Sequence, residues 1–206
     1  NVRYATQVVD AMGCGKFKPS DLEKVLAGKT ISASGSISEI TNRVSGSSTI
    51  KDLEDMFQLM YLKLTAPRAD KELFEAYKKK QVMQLQFLSA NPTYAFIDTV
   101  YESMYKNNPL APSPIPKPEH FEALSMDRIL EIYKDQFSTA DGYHCYIVGN
   151  VDPKVLVPLL ETYVASLPKA NKTPSYKDNG VRPVAGTQTM KYYKGSDPKS
   201  MIIGVI

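Results

Sequence analysis

The sequence predicts an α+β fold in which helices pack on one face of an antiparallel sheet. Three observations carry this expectation. A serine-rich stretch, residues 29–48, alternates apolar and small polar side chains with the period of strands. Most other segments repeat their apolar residues every three or four positions, the period of helices. Much helix follows few strands, whereas a parallel sheet would alternate the two.

Ala5, Val8, Val9 and Met12 stand at i, i+3, i+4 and i+7 and predict a first helix that Gly13 and Gly15 end. Ser20 and Glu23 form the S-x-x-E pattern of a helix start, so a second helix is expected over 21–27, stopped by Gly28. In the next stretch Ile31, Ala33, Gly35 and Ile37 alternate with Ser32, Ser34 and Ser36, and Ile40 and Val44 continue the apolar thread. Two strands with one face on a core are favoured there over a flexible linker.

Thr49 is expected to cap a helix whose Ile50, Leu53, Phe57, Met60 and Leu64 step by three and four until Pro67 ends it. A polar-faced helix over 70–89, a break at Asn91 and Pro92, and a helix over 93–106 with Phe96, Val100 and Met104 on one side follow. Residues 107–118 hold Pro109, Pro112, Pro114, Pro116 and Pro118. This is polyproline composition, and a stiff loop is favoured over a ligand for a recognition domain. Ser125 opens a helix with Ile129, Ile132, Tyr133 and Phe137 inward, and Tyr143 to Val148 has the pattern of a buried strand. Asp152 then caps a helix with Pro153 in its first position, apolar along Leu156, Leu159, Leu160, Tyr163 and Leu167 and bent by Pro158. Residues 169–183 have linker composition, and 187–193 and 200–206 are expected to be strands.

Composition excludes several functions. The 206 residues suffice for one domain, or one and part of a second, and 43% hydrophobic residues can fill a core. A net charge of +3 is too small to indicate nucleic acid, and Lys78, Lys79 and Lys80 are expected on a solvated helix face. No run approaches the roughly 18 apolar residues of a membrane span, and no secretion signal opens the chain, so a soluble chain is expected. Asn1 meets a helical pattern with no strand or cap before it, so the natural protein is expected to begin upstream. For Cys14 and Cys145, two buried thiols are favoured over a disulfide.

The residues offer little chemistry of their own. His120 and His144 lie far apart with no second ligand at helical spacing, which argues against zinc, and His144 is expected in a core or at an edge. The serines over 32–48 lack a nucleophile turn, and Cys14 in its G-C-G turn is expected to be somewhat exposed, with His144 as a weakly supported partner. Glu23, Glu54 and Asp55 are expected as capping or solvating carboxylates. No glycine run has phosphate-loop spacing, and the 13 tyrosines are scattered like core edges, not like a base-stacking platform.

Two stretches together resemble the pitrilysin or insulinase-like zinc peptidases. One is the helix pair over 1–27 followed by the serine-rich strands and a long amphipathic helix. The other is the ordered series over 128–168: a helix, a strand ending Val148-Gly149-Asn150, a helix start Asp152-x-x-x-Leu156 and a closing Ser166-Leu167-Pro168. In that family's active repeat the first helix carries H-x-x-E-H, two zinc-binding His and a Glu base. Here Thr6 and Asp10 stand at the His positions and Val9 at the Glu position. No catalytic or metal-binding residue is therefore assigned.

The resemblance implies a mitochondrial-processing-peptidase-like repeat over 1–168, a linker over 169–186, and the first strands of a following repeat over 187–206. It implies a metal-free half that walls the chamber of a peptide-degrading or peptide-processing zinc metallopeptidase. The catalytic N-terminal half of the same protein, or a partner subunit, would carry the zinc. The family's substrate-contacting Arg and Tyr fall beyond Ile206, so no substrate-binding residue is assigned. Bacterial relatives point to the periplasm or cell envelope. The alternative is a non-catalytic scaffold or binding subunit of the same fold.

Overall fold

A computed structural model describes residues 1–38, 40–89, 91–106, 108–111, 113, 115–170, 175, 178–193 and 200–204, without the side chains of residues 87 and 89. After a 3-10 turn at Val2–Tyr4 come α1 (Ala5–Met12), α2 (Pro19–Val25), β1 (Ile31–Ile37), β2 (Asn42–Ser48), α3 (Leu53–Thr65), α4 (Lys71–Ser89), α5 (Pro92–Met104), α6 (Pro118–Glu122), α7 (Met126–Phe137) and α8 (Pro153–Tyr163). The contacts divide the chain into two units, Asn1–Lys80 with Phe121–Tyr176, and Gln81–His120 with Lys177–Ile206.

The first unit is built on the hairpin. β1 and β2 pair antiparallel in the register Ile31 to Ser48 through Ile37 to Asn42. The alternation read from sequence holds in β1, where Ala33 is buried and Ile31, Gly35 and Ile37 are half-buried, while Ser32, Ser34 and Ser36 face solvent. On that solvent face the Ser32 and Ser47 hydroxyls hydrogen-bond at 2.8 Å. Ile40 leaves the apolar thread and is exposed in the turn.

Helices cover the other face. Leu53, Met56 and Phe57 of α3 are buried against Ile31 of the hairpin and Leu156, Leu159, Leu160 and Tyr163 of α8. Gly46 makes this approach feasible, because a Cβ there would meet the Met56 sulfur at 2.8 Å. α1 buries Ala5, Val8, Val9 and Met12, and α7 packs beside it with Ile129, Ile132, Tyr133 and Phe137 buried, the residues that the periodicity assigned inward. Gly13 ends α1 at φ 89°, and a Cβ there would lie 2.3 Å from the Phe17 carbonyl oxygen. Beyond it the Gly15 N–H donates to the Ala66 carbonyl at 2.7 Å, tying the ends of α1 and α3 together.

Capping departs from the sequence reading at two places. α2 begins at Pro19, whose fixed φ suits the first helical position, and the Asp21 carboxylate accepts from the Lys18 N–H at 3.4 Å, so the Ser20–Glu23 pattern is not used. α3 begins at Leu53, because Thr49 and Asp52 first close a turn in which the Thr49 hydroxyl donates to Asp52 Oδ2 at 2.7 Å, leaving Ile50 exposed. The starts of α7 and α8 are as expected. Ser125 accepts from the Arg128 N–H, Asp152 accepts from the Lys154 N–H, and α8 runs through Pro158.

In the second unit Asn91 caps α5 by accepting from the Thr93 N–H at 2.9 Å, with Pro92 in the first turn. Lys117 reaches Asp98 at 3.2 Å and Glu102 at 2.8 Å, one turn apart on α5. Residues 108–111 form turns, not polyproline, and Pro112 and Pro114 lie outside the described residues. The short α6 was not expected from sequence.

Three strand expectations fail. Residues 143–148, 187–193 and the described part of 200–206 are extended or irregular without strand pairing, Val205 and Ile206 lying outside the described residues, and Tyr146 and Val148 are 88% and 98% exposed. Composition favours strands there, but a strand needs a neighbour to take its backbone hydrogen bonds, and none pairs with these segments among the described residues.

Asp52 is buried and accepts from the Thr30 N–H at 3.0 Å. That bond, with the Thr49 hydroxyl, holds its carboxyl below the usual range. A lowered folded-state pKa stabilises above the unfolded value and is lost as pH falls through the folded one. Asp52→Asn should therefore unfold at a lower temperature than wild type at pH 7, with the gap closing below about pH 4; a gap that is constant across pH contradicts this. The Tyr4 hydroxyl is buried and finds no hydrogen-bond partner among the described residues. Tyr4→Phe should stabilise by about 1 kcal/mol in denaturant titration, since it removes an unpaired buried group.

Candidate functional site

The position to test is the face of α1 that carries Thr6, Val9 and Asp10. Val9 is 1% exposed and belongs to the core, so a carboxylate there would be buried among apolar groups. Thr6 faces β1, with its Cγ2 and the Phe137 ring each 3.5 Å from where a side chain at Gly35 would begin. Asp10 lies at the rim, and its Oδ1 accepts from Lys63 Nζ at 2.8 Å. The same ammonium donates to the Ala33 carbonyl at 2.7 Å. The void left among Ala33, Gly35, Val44, Lys63, Leu64 and Tyr133 is about 10 Å³, at or below the space of one water.

Electrostatics fit a closed site. Burial, reinforced by the nearby Asp10 charge, pushes the Tyr133 phenol well above its usual pKa. Burial also raises the Cys14 thiol, only partly opposed by Lys63. Both groups stay neutral near pH 7, so neither is a ready nucleophile or ligand. One carboxylate already held by an ammonium, a threonine and a valine do not make the three-ligand set of catalytic zinc. Thr6, Val9 and Asp10 thus do not fit the metal, and no group of three His, Cys, Asp or Glu converges elsewhere among the described residues.

The remaining sequence candidates do not come together. Cys14 is buried, not exposed by its glycines, because its N–H and carbonyl pair with Phe17 inside the α1–α3 junction. Cys145 is exposed, and both thiols are free, so neither the disulfide nor the pair of buried thiols describes them. His144 is exposed, not a core histidine. His120 Nδ1 accepts from the Lys117 N–H at 3.2 Å, a local cap. Glu54 accepts from the Tyr163 hydroxyl at 3.2 Å, Asp55 pairs with Lys29, and Glu23 is exposed. Lys79 and Lys80 are exposed, and Lys78 lies over the Phe74 ring. No helix of the described residues is long and apolar enough to cross a membrane.

The second unit holds a wide cleft of about 1670 Å³ between α5 and residues of 183–193 and 200–204, lined by Phe96, Val100, Met104, Met190 and Tyr192. Lys191 is the one charged residue in its described lining, which mixes apolar side chains with Asn91, Thr93, Ser103 and Gln188 and brings no carboxylate or histidine for acid–base chemistry. Sequence periodicity marked the α5 side of this cleft, and the opposite wall was expected as strands, which its described residues do not form.

No protein-family model matches the chain. The probable zinc protease PqqL of Escherichia coli K12 is 25% identical over 169 residues, covering 81% of this chain and 18% of that protein. The crystal structure of the periplasmic protease PqqL from Escherichia coli matches 88% of this chain and 20% of its own at 20% identity, with a TM-score of 0.65. The ferredoxin protease FusC, crystallised with Arabidopsis ferredoxin, matches 88% and 19% at 18% identity and a TM-score of 0.64. A protease from Helicobacter pylori matches 89% and 44% at 11% identity and a TM-score of 0.66. The chain therefore spans about a fifth of the length of PqqL and FusC.

In the native protein a thiol reagent should label Cys145 rapidly and Cys14 only as the protein unfolds. Rapid loss of both thiols would mean that the α1–α3 junction is open.

Proposed function

We propose that this chain, related to the pitrilysin or insulinase-like zinc proteases, is a metal-free repeat that walls the peptide chamber of such an enzyme. The observation that carries this is the closed face of α1, with Val9 in the core and Asp10 held by Lys63. The repeat contributes exclusion of water and positioning of peptide, which lowers a barrier without a reacting side chain.

In the complete protein, residues 1–168 form this repeat, 169–186 a linker and 187–206 the opening of the next repeat. Strands from the rest of the polypeptide pair with the open segments 143–148 and 187–193. What supports this is that both segments, largely exposed, have no strand partner among the described residues. Zinc resides in the catalytic half, in the same polypeptide or a partner subunit, and the substrates are peptides or proteins, as ferredoxin is for FusC by its name. The compartment is the periplasm or envelope, on the analogy of PqqL. A closed α1 also suits a non-catalytic scaffold subunit, so the test must separate the two.

The full-length gene product is expected to cleave peptides in a chelator-sensitive way, and residues 1–206 alone to cleave none. Chelator-sensitive cleavage by residues 1–206 overturns the proposal. A full-length product without zinc or cleavage transfers the role to the scaffold.

A further inference from the structure

The position that the resemblance assigns to metal holds a cation of the protein's own. Lys63 lies in the last turn of α3, where an ammonium is favoured by the helix dipole. Its side chain is 19% exposed, against 39% for Asp10. Its Nζ reaches two acceptors from two other elements, Asp10 Oδ1 of α1 at 2.8 Å and the Ala33 carbonyl of β1 at 2.7 Å. Three elements distant in sequence thus meet at one ammonium.

We infer that Lys63 is an internal cation that pins α1 to β1 and α3 and pre-empts a divalent metal at Asp10. The ammonium supplies directed donors to acceptors that packing has brought together on α1 and β1. A metal approaching Asp10 would have to displace a like charge at hydrogen-bonding distance, an unfavourable exchange where solvent screening is incomplete. Lys63 is more than a surface partner, because the Ala33 carbonyl lies on a buried residue and gains a charge-assisted bond from it. The pin stands on this geometry alone, and the pre-emption of metal rests on the peptidase reading.

Native-state hydrogen exchange on the full-length protein tests it, comparing wild type with Lys63→Met, Asp10→Asn and the double variant. Each single change is expected to speed exchange across α1 and β1 by roughly threefold to tenfold, with the double variant no faster than the faster single. Unchanged exchange, or effects that multiply, overturns the pin. Should Lys63→Met not fold, lysine acylation gives a second readout. Lys63 is expected to react at least about tenfold more slowly than exposed Lys79, with Asp10→Asn narrowing the gap. Equal rates at the two lysines overturn the inference.

Discussion

The apolar face of α1 is the constraint from which the first unit follows. Ala5, Val8, Val9 and Met12 are all at or below 1% exposure, on a helix of only eight residues, too short to persist without tertiary packing. They need cover from two sides, and Phe137 and Ile129 of α7 supply one while β1 supplies the other. Gly46, with no side chain, lets α3 settle onto the hairpin. Val9 is a consequence of this packing: a position that must be dry to hold α1 in place is poorly suited to a catalytic carboxylate.

That packing explains the chemistry that is missing. A catalytic site needs charged groups with room for water and substrate, whereas here Val9 is in the core, Thr6 packs near Gly35 and the Phe137 ring, and Asp10 is held by Lys63. The charges that remain neutralise one another at the rim. The face is cohesive: Val9 is in the core and Asp10 pairs with Lys63.

Much of this was legible in the sequence because it depends on local period. The inward residues of α1 and α7, the hairpin alternation and the Asp152–Pro153 start of α8 each follow from spacing within one element. Lys63 was not legible, since its meaning comes from Asp10 and Ala33, 53 and 30 residues away. Cys14 misled for a related reason: flanking glycines suggest exposure, but the chain beyond α3 returns to cover it. The segment 143–148 shows the opposite limit, in which strand composition is strong but no neighbour among the described residues takes its backbone hydrogen bonds.

The most direct measurement of the central claim, that α1 here is closed to metal, is zinc per polypeptide in the full-length protein, wild type against Asp10→Asn, by elemental analysis. The account predicts the same zinc content in both, because Asp10 holds an ammonium and no metal. Loss of zinc in the variant would contradict it and make α1 a metal-binding helix after all.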